Sequence, residues 1–134
     1  MAAKFLLDIH CLLWFQNNDP KISAKAIGII QDPANTILFS QISLYEITIK
    51  QTLGKLPAVT ADIDEIYLQG VKDNFSFLSL QNRHLYSYQN VPLFEQHRDP
   101  FDRLLIATAH EENAVVLTVD KNFSLYKGFI DILW

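Results

Sequence analysis

Five carboxylates, Asp8, Glu46, Asp99, Asp102 and Asp120, stand at points in the chain where acids from separate stretches can meet. Acids brought together repel and raise one another's pKa values unless a cation neutralises them. Mg2+ or Mn2+ accepts oxygen ligands and commonly keeps waters and substrate phosphate oxygens in its shell. A cation so placed lowers the pKa of a bound water and stabilises the departing oxygen of a phosphodiester. Metal-assisted phosphodiester hydrolysis is the chemistry these residues point to. A dedicated zinc site is disfavoured, because Cys11 is the single cysteine and no HxxxH or HExxH spacing occurs. His10, His84, His97 and His110 show no partner spacing, and His97 beside Arg98 reads as a loop residue rather than a base.

The elements that must position these acids alternate between strand and helix. Lys4–Asp8 reads as a short buried strand, apolar and bounded by a charge. Ile9–Asn17 and Ser23–Gln31 read as helices stopped by Asn17-Asn18-Asp19-Pro20 and Asp32-Pro33. Thr36–Phe39 is the next strand, and Ser43–Leu53 a helix closed by Gly54. Ala61–Asp73 fits an amphipathic helix with Ile63, Ile66, Tyr67 and Val71 inward, followed by a Phe75–Leu80 strand and a Gln81–Gln89 helix. Pro100–Glu111 is a strong helix with Phe101, Leu104, Leu105 and Ala109 inward; Ala114–Val119 and Ile130–Leu133 are the last strands. This pattern predicts an α/β fold, a mostly parallel sheet between helical layers.

In open α/β sheets, ligands bind beyond the carboxyl ends of the strands. Asp8 ends the first strand, Glu46 lies in the first helical turn after the second, and Asp120 follows the Val115–Val119 run directly. Asp99 and Asp102 open the helix that leads into that run, so all five can meet at one edge. Each also has an ordinary local explanation. Asp8 can cap the helix starting at Ile9, and Ser43-Leu44-Tyr45-Glu46 spells a capping box. Asp99-Pro100-Phe101-Asp102 is a helix-start signature, and Asp120-Lys121-Asn122 fits an Asx turn. Local capping accounts for each acid singly but not for their common edge. Ser43 and Thr118 are candidates to support the carboxylates, or to cap backbone locally. Trp14 and Trp134 read as core or interface aromatics.

The chain has 134 residues, 49% apolar and 19% charged, with no repeat, low-complexity tract or linker, and reads as one continuous domain over residues 1–134. No apolar run spans a bilayer. The apolar start is broken by Asp8 and His10 and lacks a small-residue cleavage site, so no signal peptide is expected. With a lone cysteine, a reducing cytoplasm is the expected setting. Net charge is −4, unlike a typical nucleic-acid binder. Acids gathered around a metal reconcile this, with Lys50, Lys55, Arg98, Arg103, Lys121 and Lys127 as candidates to hold a nucleic-acid backbone. Four scattered glycines exclude a P-loop or dinucleotide fingerprint. Asp8-Ile9-His10 lacks the second aspartate of haloacid-dehalogenase-type phosphatases.

Four stretches, in order and suitably separated, resemble the PIN-domain family and, within it, the VapC-like toxins. Leu6-Leu7-Asp8-Ile9-His10-Cys11-Leu12-Leu13-Trp14 is similar to the opening strand and acid. Ser40-Gln41-Ile42-Ser43-Leu44-Tyr45-Glu46-Ile47 is similar to the Ser-x-x-Ser-x-x-Glu helix. His97-Arg98-Asp99-Pro100-Phe101-Asp102-Arg103-Leu104-Leu105-Ile106-Ala107 is the most specific stretch, and Leu117-Thr118-Val119-Asp120 resembles the Thr-x-Asp strand end. The resemblance implies an α/β/α sandwich and a divalent-metal-dependent endoribonuclease using Mg2+ or Mn2+. Asp8, Glu46, Asp102 and Asp120 would be the metal-site acids, with Asp99 a fifth through water. RNA as substrate, a homodimer and a cognate antitoxin are likewise implied. One departure is Ile9, where the family commonly has a threonine whose hydroxyl can orient Asp8 or a water. It leaves open a weak or inactive PIN scaffold that binds RNA or protein without turnover.

Overall fold

In the computed structural model, which describes residues 3–134, β1 (Lys4–Leu7) runs almost directly into α1 (Ile9–Gln16). Asp8 alone separates them, and its side chain accepts the Cys11 amide to cap the helix. Ser23 caps α2 (Ala24–Gln31) in the same way. β2 (Thr36–Ser40) and α3 (Gln41–Thr52) follow with no loop between them, because Ser40 both ends the strand and caps the helix. Then come α4 (Ile63–Lys72), β3 (Ser76–Leu78), α5 (Asn82–Tyr88) and α6 (Pro100–Glu112). β4 (Val115–Leu117), a 3-10 helix (Lys121–Tyr126) and β5 (Ile132–Leu133) complete the order.

The five strands form one sheet in the order β3-β2-β1-β4-β5, and every pairing is parallel. Phe5 pairs with Ile37 on one side and Val115 on the other, which fixes β1 at the centre. Successive residues of β1 face opposite sides. Phe5 and Leu7 join a core with residues of α1, α2, α3 and α4, whereas Leu6 joins Leu105, Ile106, Ala109, Phe123 and Tyr126. The result is a three-layer α/β/α sandwich with a parallel sheet buried on both faces. Each fully buried Leu or Ile contributes about 1.5–3 kcal/mol. Among the described residues no helix is long and apolar enough to cross a membrane.

Tertiary packing moves several expected boundaries. α3 starts at Gln41, not Ser43, since the Ser40 Oγ takes the Ile42 amide at 3.0 Å. The Ser43–Glu46 capping box is therefore absent, and Ser43 is buried inside the first turn. Val71 is 46% exposed, not inward, and it is the neighbouring Gly70 that packs against Phe39. The expected Ala114–Val119 strand loses its last two residues: pairing ends at Leu117, and Val119 is exposed. In α6, Leu104 and Phe101 are only half-buried, while Arg103, Ile106 and Thr108 are buried. This helix is packed on several sides, so no single inward stripe describes it.

Candidate active site

The chain fills the sheet outward from β1 in both directions, through β2 and β3 on one side and β4 and β5 on the other. The crevice beyond β1 and β4 is thus the topological switch point where ligands settle in such sheets. A cavity of about 100 Å³ lies there, lined by Asp8, Glu46, Asp99, Asp102 and Asp120. Ser43, Lys50, His10, Ile9 and Phe123 complete much of its wall. All five sequence-selected acids are brought together.

For Asp8, Asp99 and Asp120, capping and cavity-lining are compatible roles of the same side chain. Asp99 Oδ1 accepts the amides of Phe101 and Asp102, and Asp120 Oδ1 accepts that of Asn122. Glu46 Oε2 pairs with Lys50 at 3.0 Å, one helical turn on. Asp102 Oδ2 receives the His97 ring at 3.0 Å. In these four acids one oxygen is taken by the protein, and the other has no protein donor among the described residues. Asp8 is the most enclosed, 6% exposed, with Oδ1 on the Cys11 amide and Oδ2 on the Thr118 hydroxyl.

Electrostatics agree with an under-neutralised pocket. Burial pushes the Asp8 carboxyl up and Asp120 repels it further, against the bonds from Thr118 and Cys11 and the charge of His10. Burial likewise raises Asp102, to about 6, with Asp99 and Glu46 adding repulsion and the His97 bond opposing it. Cys11 is raised by burial and by Asp8, and so is no nucleophile. Among the described residues no three His, Cys, Asp or Glu side chains already converge on a single point to ligate an ion. The acids ring the cavity instead, an arrangement that fits Mg2+ or Mn2+ holding part of its water shell.

The sequence profile described as PIN domain matches residues 5–128. The chain belongs to the PIN-domain family. Its fold is shared with a chain in the structure of VapBC2 from Rickettsia felis bound to a DNA fragment from their promoter. That pair has a TM-score of 0.70 and 16% identity, covering 97% of each chain. VapBC-1 from nontypeable Haemophilus influenzae gives a TM-score of 0.62 and 17% identity over 97% of this chain and 96% of that one. VapBC-5 of Mycobacterium tuberculosis, described as a member of the VapBC family of toxin-antitoxin systems, gives 0.60 and 17% over 98% and 96%. No curated protein matches the sequence.

Within this PIN domain the basic residues divide. Lys50 lines the cavity, and Arg98 and Lys121 are exposed near its rim acids Asp99 and Asp120. Arg103 does not belong with them. It is 4% exposed and donates to the carbonyls of Pro92, at 2.7 Å, and Val91, at 3.2 Å. Its guanidinium also sits 5.2 Å from the Tyr88 ring, so it fastens the segment before α6 rather than facing a nucleic acid. His97, expected as a loop residue, is buried against Asp102. No spacing in the sequence marks it, because its second partner, Tyr126, is 29 positions away. His10 was also unmarked; it reaches the cavity from the first turn of α1, two residues after Asp8. Beside the cavity, and sharing Ile42 and Phe101 with it, opens an apolar groove of about 450 Å³ that includes Tyr45, Leu80 and Leu104.

Proposed function

We propose that this PIN domain is a divalent-metal-dependent endoribonuclease, the VapC-like toxin component of a toxin–antitoxin pair. The observation that carries this reading is the gathering of five carboxylates around one cavity at the switch point of the sheet. Asp8, Glu46, Asp102 and Asp120 would hold Mg2+ or Mn2+, and Asp99 would act through water. When bound, the cation supplies an activated water and positive charge for the departing oxygen. Hydrolysis breaks one P–O bond and leaves a phosphate on one fragment and a hydroxyl on the other.

The chain's own residues prepare the cavity for this. The Thr118 hydroxyl and the Cys11 amide hold Asp8 in one orientation, and Asp99 fixes the first turn that carries Asp102. Lys50 puts a positive charge beside Glu46, where it can meet a substrate phosphate. Arg98 and Lys121, both exposed, would follow the backbone further out. Ile9 favours a weak or inactive scaffold less than its chemistry suggests. Asp8 already receives a hydroxyl from Thr118, so the missing threonine at position 9 leaves no orphaned carboxylate.

RNA as the substrate rests on the family resemblance, since a hydrolytic metal site does not itself select the sugar. A cognate antitoxin is supported by the toxin–antitoxin structures that share the fold, and a homodimer by the resemblance. The apolar groove offers surface of the kind protein partners cover. The cytoplasm is the setting proposed. The test is cleavage of mixed RNA by the purified chain with Mn2+, Mg2+ or EDTA, alongside Asp8→Asn and Asp102→Asn. Metal-dependent cleavage that falls at least ~100-fold in both variants is expected. Equal cleavage by a folded Asp8→Asn protein would sink the assignment, and RNA binding without turnover would identify a binding module.

A further inference from the structure

His97 is 5% exposed, lies outside the ring of acids, and has both ring nitrogens engaged. Nε2 lies 3.0 Å from Asp102 Oδ2 and Nδ1 lies 2.7 Å from the Tyr126 hydroxyl. An ionised carboxylate only accepts, so Nε2 must carry a proton. In the neutral ring Nδ1 is then an acceptor, and it takes the single Tyr126 hydroxyl proton at 2.7 Å in preference to the His97 carbonyl 3.4 Å away. The opposite tautomer would set two lone pairs against each other at Asp102. The ring has little room to turn, standing against the rings of Tyr126 at 5.5 Å and Phe123 at 6.2 Å. The His97 amide is also tied to the Phe94 carbonyl at 3.2 Å.

We propose that His97, fixed by Tyr126, is a positioning residue that engages Asp102 Oδ2 and thereby presents Oδ1 to the cation. This rests on the metal-dependent reading of the cavity. Asp102 is then held twice: its backbone by the Asp99 cap at 3.1 Å, and its carboxylate by His97. Tyr126 and Phe123 belong to the 3-10 helix that Asp120 opens, so one segment sets the place of Asp120 directly and of Asp102 through His97. Carboxylate ligands are commonly oriented by such outer hydrogen bonds, and losing one typically weakens metal binding ~10–100-fold.

The experiment is calorimetric titration of the purified chain with Mn2+, with the melting temperature measured in its presence and absence. His97→Ala should weaken Mn2+ binding ~10–100-fold, and Tyr126→Phe by a smaller factor. His97→Gln, whose amide nitrogen can occupy the Nε2 position, should restore most of the affinity, while His97→Asn, which reaches only the Nδ1 position, should not. A purely structural His97 would lower the metal-free melting temperature but leave the Mn2+ dissociation constant of the folded protein unchanged. That result, or equal rescue by Gln and Asn, overturns the proposal while Asp8→Asn still abolishes binding and the metal site stands. Absence of Mn2+ binding in the wild-type chain overturns the metal reading and this proposal together.

Discussion

The Thr118 hydroxyl donates to Asp8 Oδ2 across 110 positions of sequence, and Thr118 Oγ1 itself accepts the Asp120 amide at 3.0 Å. One side chain at the end of β4 therefore ties the acid after β1 to the acid that opens the 3-10 helix. Neighbouring parallel strands make this possible, since Leu7 and Leu117 are in register and both chains leave the sheet together. Thr118→Val keeps the shape but removes both bonds. It should cost about 1–3 kcal/mol in urea unfolding, by leaving a buried carboxylate oxygen unpaired. RNA cleavage at limiting Mn2+ should fall ~10–100-fold. Wild-type values in both measurements would show that the bond has no organising role.

Arg103 and Arg98 should separate stability from binding. Arg103→Met strands the carbonyls of Val91 and Pro92 and should destabilise the domain by about 2–4 kcal/mol. Arg98 is exposed, so Arg98→Ala should leave the melting temperature within about a degree or two and weaken RNA binding at low salt. Filter binding and thermal melts on the same samples decide it; the reverse pattern would return Arg103 to the nucleic-acid surface.

At Gly70, α4 lies close against Phe39 of β2. A Cβ there would lie 2.7 Å from Phe39 Cζ, and Phe39 is wholly buried. Gly70→Ala gains helix propensity but overpacks, and the net expectation is a loss of about 1–3 kcal/mol. Chemical denaturation measures it, and Phe39→Leu in the same chain should recover part of the loss. Stabilisation by Gly70→Ala alone would mean that the ring yields without cost.

Acid stability should carry the signature of Glu112. Burial acts to raise its carboxyl, but the His84 hydrogen bond and the charges of Arg83 and His84 outweigh that and hold it below the usual value of 4.5. With the folded pKa lowered, the unfolded chain binds more protons in that window. The contribution is fully present above about pH 4.5 and is lost as pH falls through the folded pKa. The stability difference between wild type and Glu112→Gln should therefore shrink as pH falls below that value. A difference independent of pH would assign the effect to packing alone.

The sequence by itself determined the alternation of strand and helix, because short apolar runs bounded by caps and prolines have few other ways to bury themselves. It also determined which acids lie just beyond strand ends, and so Asp8, Glu46, Asp99, Asp102 and Asp120 were legible as a set. Local spacing is all such a reading has, and it sufficed for the caps that Asp8 and Asp99 make on Cys11 and Asp102.

Tertiary structure decided the long-range part of how Asp8 and Asp102 are held. His97 meets Tyr126 and Thr118 meets Asp8 only because separate elements pack together, and no periodicity along the chain encodes either pair. The same holds for Arg103, whose charge suggested solvent until α6 was enclosed by the segment at Val91 and Pro92. Ser40 in place of Ser43 as the cap of α3 was settled by where β2 stops pairing, since strand and helix compete for the same backbone groups. Cap chemistry and cavity chemistry read as rivals in one dimension; in three dimensions Asp99 and Asp120 each cap with one oxygen and leave the other to the cavity.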